Sequence, residues 1–148
     1  MRRPNARPSW PGSSPHEPPL PLGSPACRPS LRVLPGPEAV FNFPFEVEHA
    51  IPTSRGGKDE EGNRCLACRA CNLRKSDRLA WHDDVTKQDV ALFNPRSERW
   101  SDHFAVDLES GEIHGAAPTG RATVACLDLN HPLQLTARTI WLRLRLFP

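Results

Sequence analysis

Apolar and polar residues alternate along Phe43-Pro44-Phe45-Glu46-Val47-Glu48-His49-Ala50-Ile51, and Pro52 closes the run. A period of two ended by proline predicts a short strand, with Glu48 and His49 projecting from opposite faces. Residues 54–62 are polar and glycine-bearing, a loop, and Asn63-Arg64-Cys65-Leu66-Ala67 is long enough for a return strand. From Arg69 through Leu79 the residues are good helix formers free of Gly and Pro, which predicts a short helix with Asn72 and Lys75 three apart on one face.

Further along, residues 101–107 and 112–114 flank Ser110-Gly111 as a second hairpin. Thr119 is placed to cap a helix reaching about Leu129, and His131-Pro132 breaks it. A last helix is expected from about Leu133 to Leu146, with Leu135, Trp141, Leu142 and Leu146 as its apolar face. Arg138, Arg143 and Arg145 lie between apolar residues and read as its solvated side.

Residues 1–44 hold 12 of the 17 prolines, mixed with Ser, Gly and Arg. Such a segment cannot bury enough surface to offset its ordering entropy, so residues 1–38 are expected to be a disordered, Pro-rich tail. With 148 residues, the chain has room for one ordinary domain. The fold class expected is α+β: a core over residues 39–80, and a C-terminal hairpin and helical extension over 81–148 packed on it.

A net charge of +2 is too mild to identify a partner, since a clustered basic surface is the diagnostic feature. No run approaches the roughly 18 apolar residues of a membrane span, and Met1-Arg2-Arg3-Pro4 is not followed by the apolar stretch of a signal peptide. A cytoplasmic protein with no membrane partner is the expectation. The cysteine count of 5 is odd, and Cys65, Cys68 and Cys71 crowd together, which favours reduced thiols or metal ligands over a disulfide framework.

Residues 48–75 offer the parts of phosphodiester hydrolysis. The reaction needs a water made nucleophilic, and a cation to neutralise the charge growing on phosphorus and the leaving oxygen. His49 can take a proton near neutral pH. Glu48 is a hard oxygen ligand, and Asn72 offers a neutral carbonyl oxygen suited to a largely hydrated Mg²⁺ or Mn²⁺. Lys75, one turn beyond Asn72, would face the same phosphate. Arg64, Arg69, Arg74, Lys75 and Arg78 form a basic run beside these residues and read as phosphate contacts, joined by Arg55 and Lys58 in the loop. His103, between Trp100 and Phe104, reads as a structural histidine.

The run Glu48-His49-Ala50-Ile51-Pro52-Thr53-Ser54-Arg55-Gly56-Gly57, then Asn63, then Cys68-Arg69-Ala70-Cys71-Asn72-Leu73-Arg74-Lys75, strongly resembles the HNH endonuclease signature in order, spacing and flanks. Outside it, Leu92-Phe93-Asn94-Pro95-Arg96, Arg99-Trp100-Ser101-Asp102-His103-Phe104 and Thr119-Gly120-Arg121-Ala122-Thr123-Val124 look similar to a bacterial subgroup of small HNH proteins. The resemblance implies a ββα-metal core, in which a hairpin and a helix hold one divalent ion against the scissile phosphate of a nucleic acid, DNA before RNA. Carried over by position, Glu48 and Asn72 become metal ligands and His49 the general base. Asn63 becomes the middle letter, which braces the loop and orients the histidine.

The chain departs from the pattern in its cysteines. Many family members carry a second CxxC upstream, which with the pair corresponding to Cys68 and Cys71 closes a four-thiolate zinc site. Leu31 and Leu34 stand in those places here, and Cys27 is the one upstream cysteine. A structural Zn²⁺ would have to recruit Cys65, Cys27 or a histidine. Two alternatives to the nuclease therefore stay open: a catalytically silent nucleic-acid-binding module, and a zinc-ribbon-like interaction domain.

Overall fold

The computed structural model describes residues 45–147. The expected tail over 1–38, Cys27 and the start of the first strand at Phe43 lie outside the described residues. The rest is a mixed α and β architecture of three separate two-stranded antiparallel sheets and four α-helices.

The first sheet pairs β1 (Glu46–His49) with β2 (Arg64–Ala67). Its register sets Glu46 opposite Ala67, Val47 opposite Leu66, Glu48 opposite Cys65 and His49 opposite Arg64. The strand pleat then sorts the residues, leaving Glu48, Cys65 and Ala67 buried while Val47 is exposed. The sheet runs directly into α1 (Arg69–Lys75), whose Cys71 and Lys75 are buried. Expected to reach Leu79, this helix stops at Lys75. Ser76 takes φ 50°, outside the helical region, while its N–H still bonds to the Asn72 carbonyl.

Two further strands, β3 (Ala80–Asp83) and β4 (Gln88–Ala91), form a hairpin that the apolar pattern does not announce. It is tied down by Asp83, which is buried and accepts both Nε and Nη2 of Arg121 at 2.8 Å. The same carboxylate takes the backbone N–H and the hydroxyl of Thr86, closing the turn. The Arg121 guanidinium accordingly holds the Asp83 carboxyl far below the usual carboxylate range.

The expected hairpin around Ser110-Gly111 is present but shorter than its pattern. Trp100–His103 is one helical turn, α2, and the strands are β5 (Phe104–Val106) and β6 (Ile113–Gly115). Gly111 makes the return with φ 76°. Next comes α3 (Pro118–Leu127), which Thr119 does not cap: the N-cap is Ala117, with no side-chain cap bond, and Pro118 starts the helix. Gly120 lies where α3 crosses His103, and a Cβ there would overlap the His103 carbonyl oxygen.

The last helix, α4 (Pro132–Arg143), is shorter than expected, and one of its arginines is misplaced in the sequence reading. Arg138 is fully buried, not solvated. Its guanidinium donates to the carbonyls of Gly111 and Leu129 and lies over the Phe147 ring, groups that gather only when α4 docks on the β5–β6 return. Leu146, expected on the apolar face, is exposed, whereas Trp141 is buried as expected.

One apolar cluster joins the pieces. Ala67 and Cys71 from the first hairpin and α1 pack with Leu92, Phe93, Phe104, Ile113, Cys126, Leu127 and Leu129. Trp100 stacks on Phe104 at 5.1 Å, and Phe93 meets Phe104 edge-on at the same distance. His103 packs against both phenylalanines and faces Glu98 at 3.2 Å, which fits the structural part expected of it. No helix among the described residues is long and apolar enough to cross a membrane.

Candidate active site

The β1–β2 sheet and α1 bring together residues separated by more than twenty positions in sequence. Residues two apart on a strand share a face, and residues three apart on a helix share a stripe. Glu46 and Glu48 thus face Asn72 and Lys75. Asn72 Nδ2 donates to Glu46 Oε2 at 2.7 Å, and Lys75 Nζ donates to Glu48 Oε1 at 2.7 Å. Lys75 Nζ also donates to the His49 carbonyl at 2.9 Å. The Glu48 and Lys75 side chains are 8% and 9% exposed, so this pair is nearly closed off from solvent.

His49 projects from the other face of β1 and is half-buried. Its Nε2 lies 2.7 Å from Asp59 Oδ1, and Arg64 Nε donates to the same oxygen at 2.7 Å. Arg64 and His49 together hold the Asp59 carboxyl far below its usual range. An ionised carboxylate only accepts, so Asp59 selects the tautomer of neutral His49 that carries its proton on Nε2. Nδ1 is then the basic nitrogen.

Asn63 is buried and ties the loop shut. Its Oδ1 accepts from the Ile51 N–H at 2.8 Å, and its Nδ2 donates to the carbonyls of Ile51 and Lys58 at 2.8 and 2.9 Å. The Asn63 carbonyl also accepts from Ala50 N at 2.8 Å, next to the histidine. Gly57 closes against this brace, because a Cβ there would collide with the Ile51 carbonyl oxygen.

Most of the basic residues expected to meet phosphate have partners within the fold. Arg55 pairs with Asp77, Arg64 with Asp59, Arg69 with Glu46 and Arg74 with Asp128. Lys75 is buried on Glu48, Arg78 lies over the Trp81 ring, and Lys58 is exposed. Arg55, Arg64 and Arg69 keep their guanidinium groups near the surface, where exposed pairs exchange readily with other anions.

The cysteines do not assemble as a trio. Among the described residues no three His, Cys, Asp or Glu side chains form a metal-holding group. Strand alternation puts Cys65 on the face shared with Glu48, whereas Cys68 sits at the N-cap of α1. Burial and the Glu48 charge push the Cys65 thiol up to about 11. Cys68 and Cys71 do meet: the Cys71 thiol supports a thiolate on Cys68, bringing Cys68 down to about 6, and Cys71 is correspondingly raised.

The donors that remain suit a different ion. Glu48 Oε2 and Asn72 Oδ1 accept no hydrogen bond among the described residues. One carboxylate oxygen and one carboxamide oxygen fit a hard, largely hydrated divalent cation, not a closed cage.

Residues 39–78 match the family model for HNH endonuclease. That segment is HNH-like. The match spans the Glu48-His49 dipeptide, Asn63 and Asn72, and it ends before Leu92 and the later segments. No curated protein and no solved structure matched the chain. The match over this segment supports nuclease or nucleic-acid-binding activity.

Two residues that contact the candidate site escape the sequence reading. Asp59 sits in a run of loop acids, and nothing in its spacing marks it as the partner of His49. Glu46 had a usable signal, since it lies two before Glu48 on a predicted strand and must share its face.

Proposed function

We propose that this protein is a metal-dependent endonuclease that hydrolyses DNA phosphodiester bonds, with a ββα-metal core over residues 39–80 supported by residues 81–148. The observation that carries this reading is the bridge from Lys75 Nζ to both Glu48 and the His49 backbone, which locks α1 against β1 at the Glu-His dipeptide. Glu48 and Asn72 would hold Mg²⁺ or Mn²⁺ through oxygen. Bound there, the cation neutralises charge developing on the phosphate and the leaving oxygen.

His49 acts as general base. Nδ1 takes a proton from the attacking water, and Asp59 stabilises the imidazolium through Nε2–H. Asn63 keeps the loop carrying Asp59 closed on β1. Arg55 and Arg74 bind the phosphate backbone by exchanging their carboxylate partners for phosphate, the exposed Lys58 meets it directly, and Arg69 reaches it with the guanidinium nitrogens that Glu46 does not engage, which gives affinity with little sequence information.

A second reading has an observation of its own. Lys75 already neutralises Glu48, as would suit a catalytically silent nucleic-acid-binding module. Supercoiled plasmid with Mg²⁺ or Mn²⁺ separates the two. The nuclease nicks it in a metal-dependent way, and His49→Ala still binds DNA but cleaves about two to four orders of magnitude more slowly. Equal nicking by both proteins sinks the assignment, and binding with no metal-dependent nicking establishes the silent module.

A further inference from the structure

Glu46 is the unassigned carboxylate of this site, and its two oxygens are spoken for. Arg69 Nη1 donates to Oε1 at 2.8 Å, and Asn72 Nδ2 donates to Oε2 at 2.7 Å. A carboxylate has no hydrogen to give, so the amide nitrogen of Asn72 must be the atom that faces it. Asn72 Oδ1 is therefore turned away from Glu46, and it accepts no hydrogen bond among the described residues.

A free asparagine side chain has no such bias. Its amide is nearly symmetric in shape, and rotation by half a turn exchanges a cation-binding oxygen for a cation-repelling NH₂. We infer that Glu46 is a positioning residue that locks the Asn72 carboxamide with Oδ1 presented to a hydrated divalent cation, a role that rests on the metal-dependent reading above. Arg69 completes the device by holding the Glu46 carboxylate from its other oxygen. The strand face then carries two carboxylates with different tasks: Glu48 offers oxygen to the cation, and Glu46 orients the second oxygen donor across the strand–helix contact.

The test uses the full chain and Mn²⁺ alone, without DNA. Glu46→Gln preserves size but supplies an NH₂ that can donate to Asn72 Oδ1, so the amide loses its fixed direction. Mn²⁺ affinity, followed by the electron paramagnetic resonance of the free ion, is expected to fall by about tenfold. The side-chain amide resonance of Asn72 is expected to move in the ¹H–¹⁵N spectrum even in the absence of metal. The double variant E46Q/N72D reverses the polarity of the contact: the introduced glutamine donates to one oxygen of the introduced carboxylate and leaves the other outward. Mn²⁺ affinity should return to at least that of the unmodified chain, with N72D beside an intact Glu46 as the control for the added carboxylate charge.

An E46Q chain with an unmoved Asn72 amide resonance and unchanged Mn²⁺ affinity overturns the inference and leaves the nuclease reading intact. Failure of the double variant to regain Mn²⁺ affinity while folded likewise overturns it. Absence of Mn²⁺ binding by the unmodified chain overturns both.

Discussion

The ammonium of Lys75 and the carboxylate of Glu48 meet at 2.7 Å in a position that solvent barely reaches, joining the last turn of α1 to the strand that carries His49. Breaking one member of such a pair costs more than the pair contributes, because the survivor is left charged and desolvated. Lys75→Met should lower unfolding free energy by about 3 kcal/mol in urea titrations. A loss below about 1 kcal/mol, the range of exposed pairs, would show that Glu48 reaches water.

Asp59 should matter to the rate and little to the fold. Both its partners, His49 and Arg64, lie on the hairpin surface, and the exposed contacts contribute little stability. Asp59→Asn offers either an acceptor or a donor to Nε2 and so weakens the choice of tautomer. Plasmid nicking should slow by roughly 10–100-fold, the usual cost of losing a group that orients a reacting one. DNA affinity, measured by fluorescence anisotropy, should stay within about twofold of the unmodified value, as phosphate contacts carry it.

Asn63 makes three hydrogen bonds to the loop backbone from a buried position. At about 1 kcal/mol for each bond, Asn63→Ala should destabilise the chain by roughly 2–3 kcal/mol. Hydrogen exchange would localise the damage, with the Ile51 amide losing protection ahead of the β5–β6 amides. Uniform loss of protection along the chain would contradict the local brace.

The Asp83–Arg121 contact gives a pH signature. The folded carboxyl titrates far below its unfolded value, so it contributes stability above the ordinary carboxylate range, and that contribution is lost as pH falls through and below that range. Asp83→Asn should lower the melting temperature at pH 7 by at least about 5 °C. The gap between variant and unmodified chain should narrow steadily in acid, and a gap independent of pH down to strongly acidic buffer would rule out the ionised pair as its source.

The distribution of these residues explains which parts of the site were legible. The alternation at 45–49, the return strand at 64–67 and the helix from Arg69 are local signals, written in periods of two and in helix-forming residues. The order and spacing of Glu48, His49, Asn63 and Asn72 are also sequence properties. Asp59 was not legible because a loop acid looks the same whether it meets solvent or an imidazole ten residues away. The β3–β4 hairpin was missed because its strands are largely exposed and its turn is made by Thr86 bonds to Asp83 and a positive φ at Lys87, not by Gly or Pro.

By itself, the sequence determined the short elements of the hairpin and α1 and the chemistry its side chains bring to them, since both depend on neighbours a few positions apart. Which carboxylate meets which donor was decided only by tertiary structure. Glu46 took Asn72, Glu48 took Lys75 and Arg138 went inside, because the packing of α1 on β1 and of α4 on the β5–β6 return sets those distances, and no local pattern encodes how two elements far apart in sequence will cross.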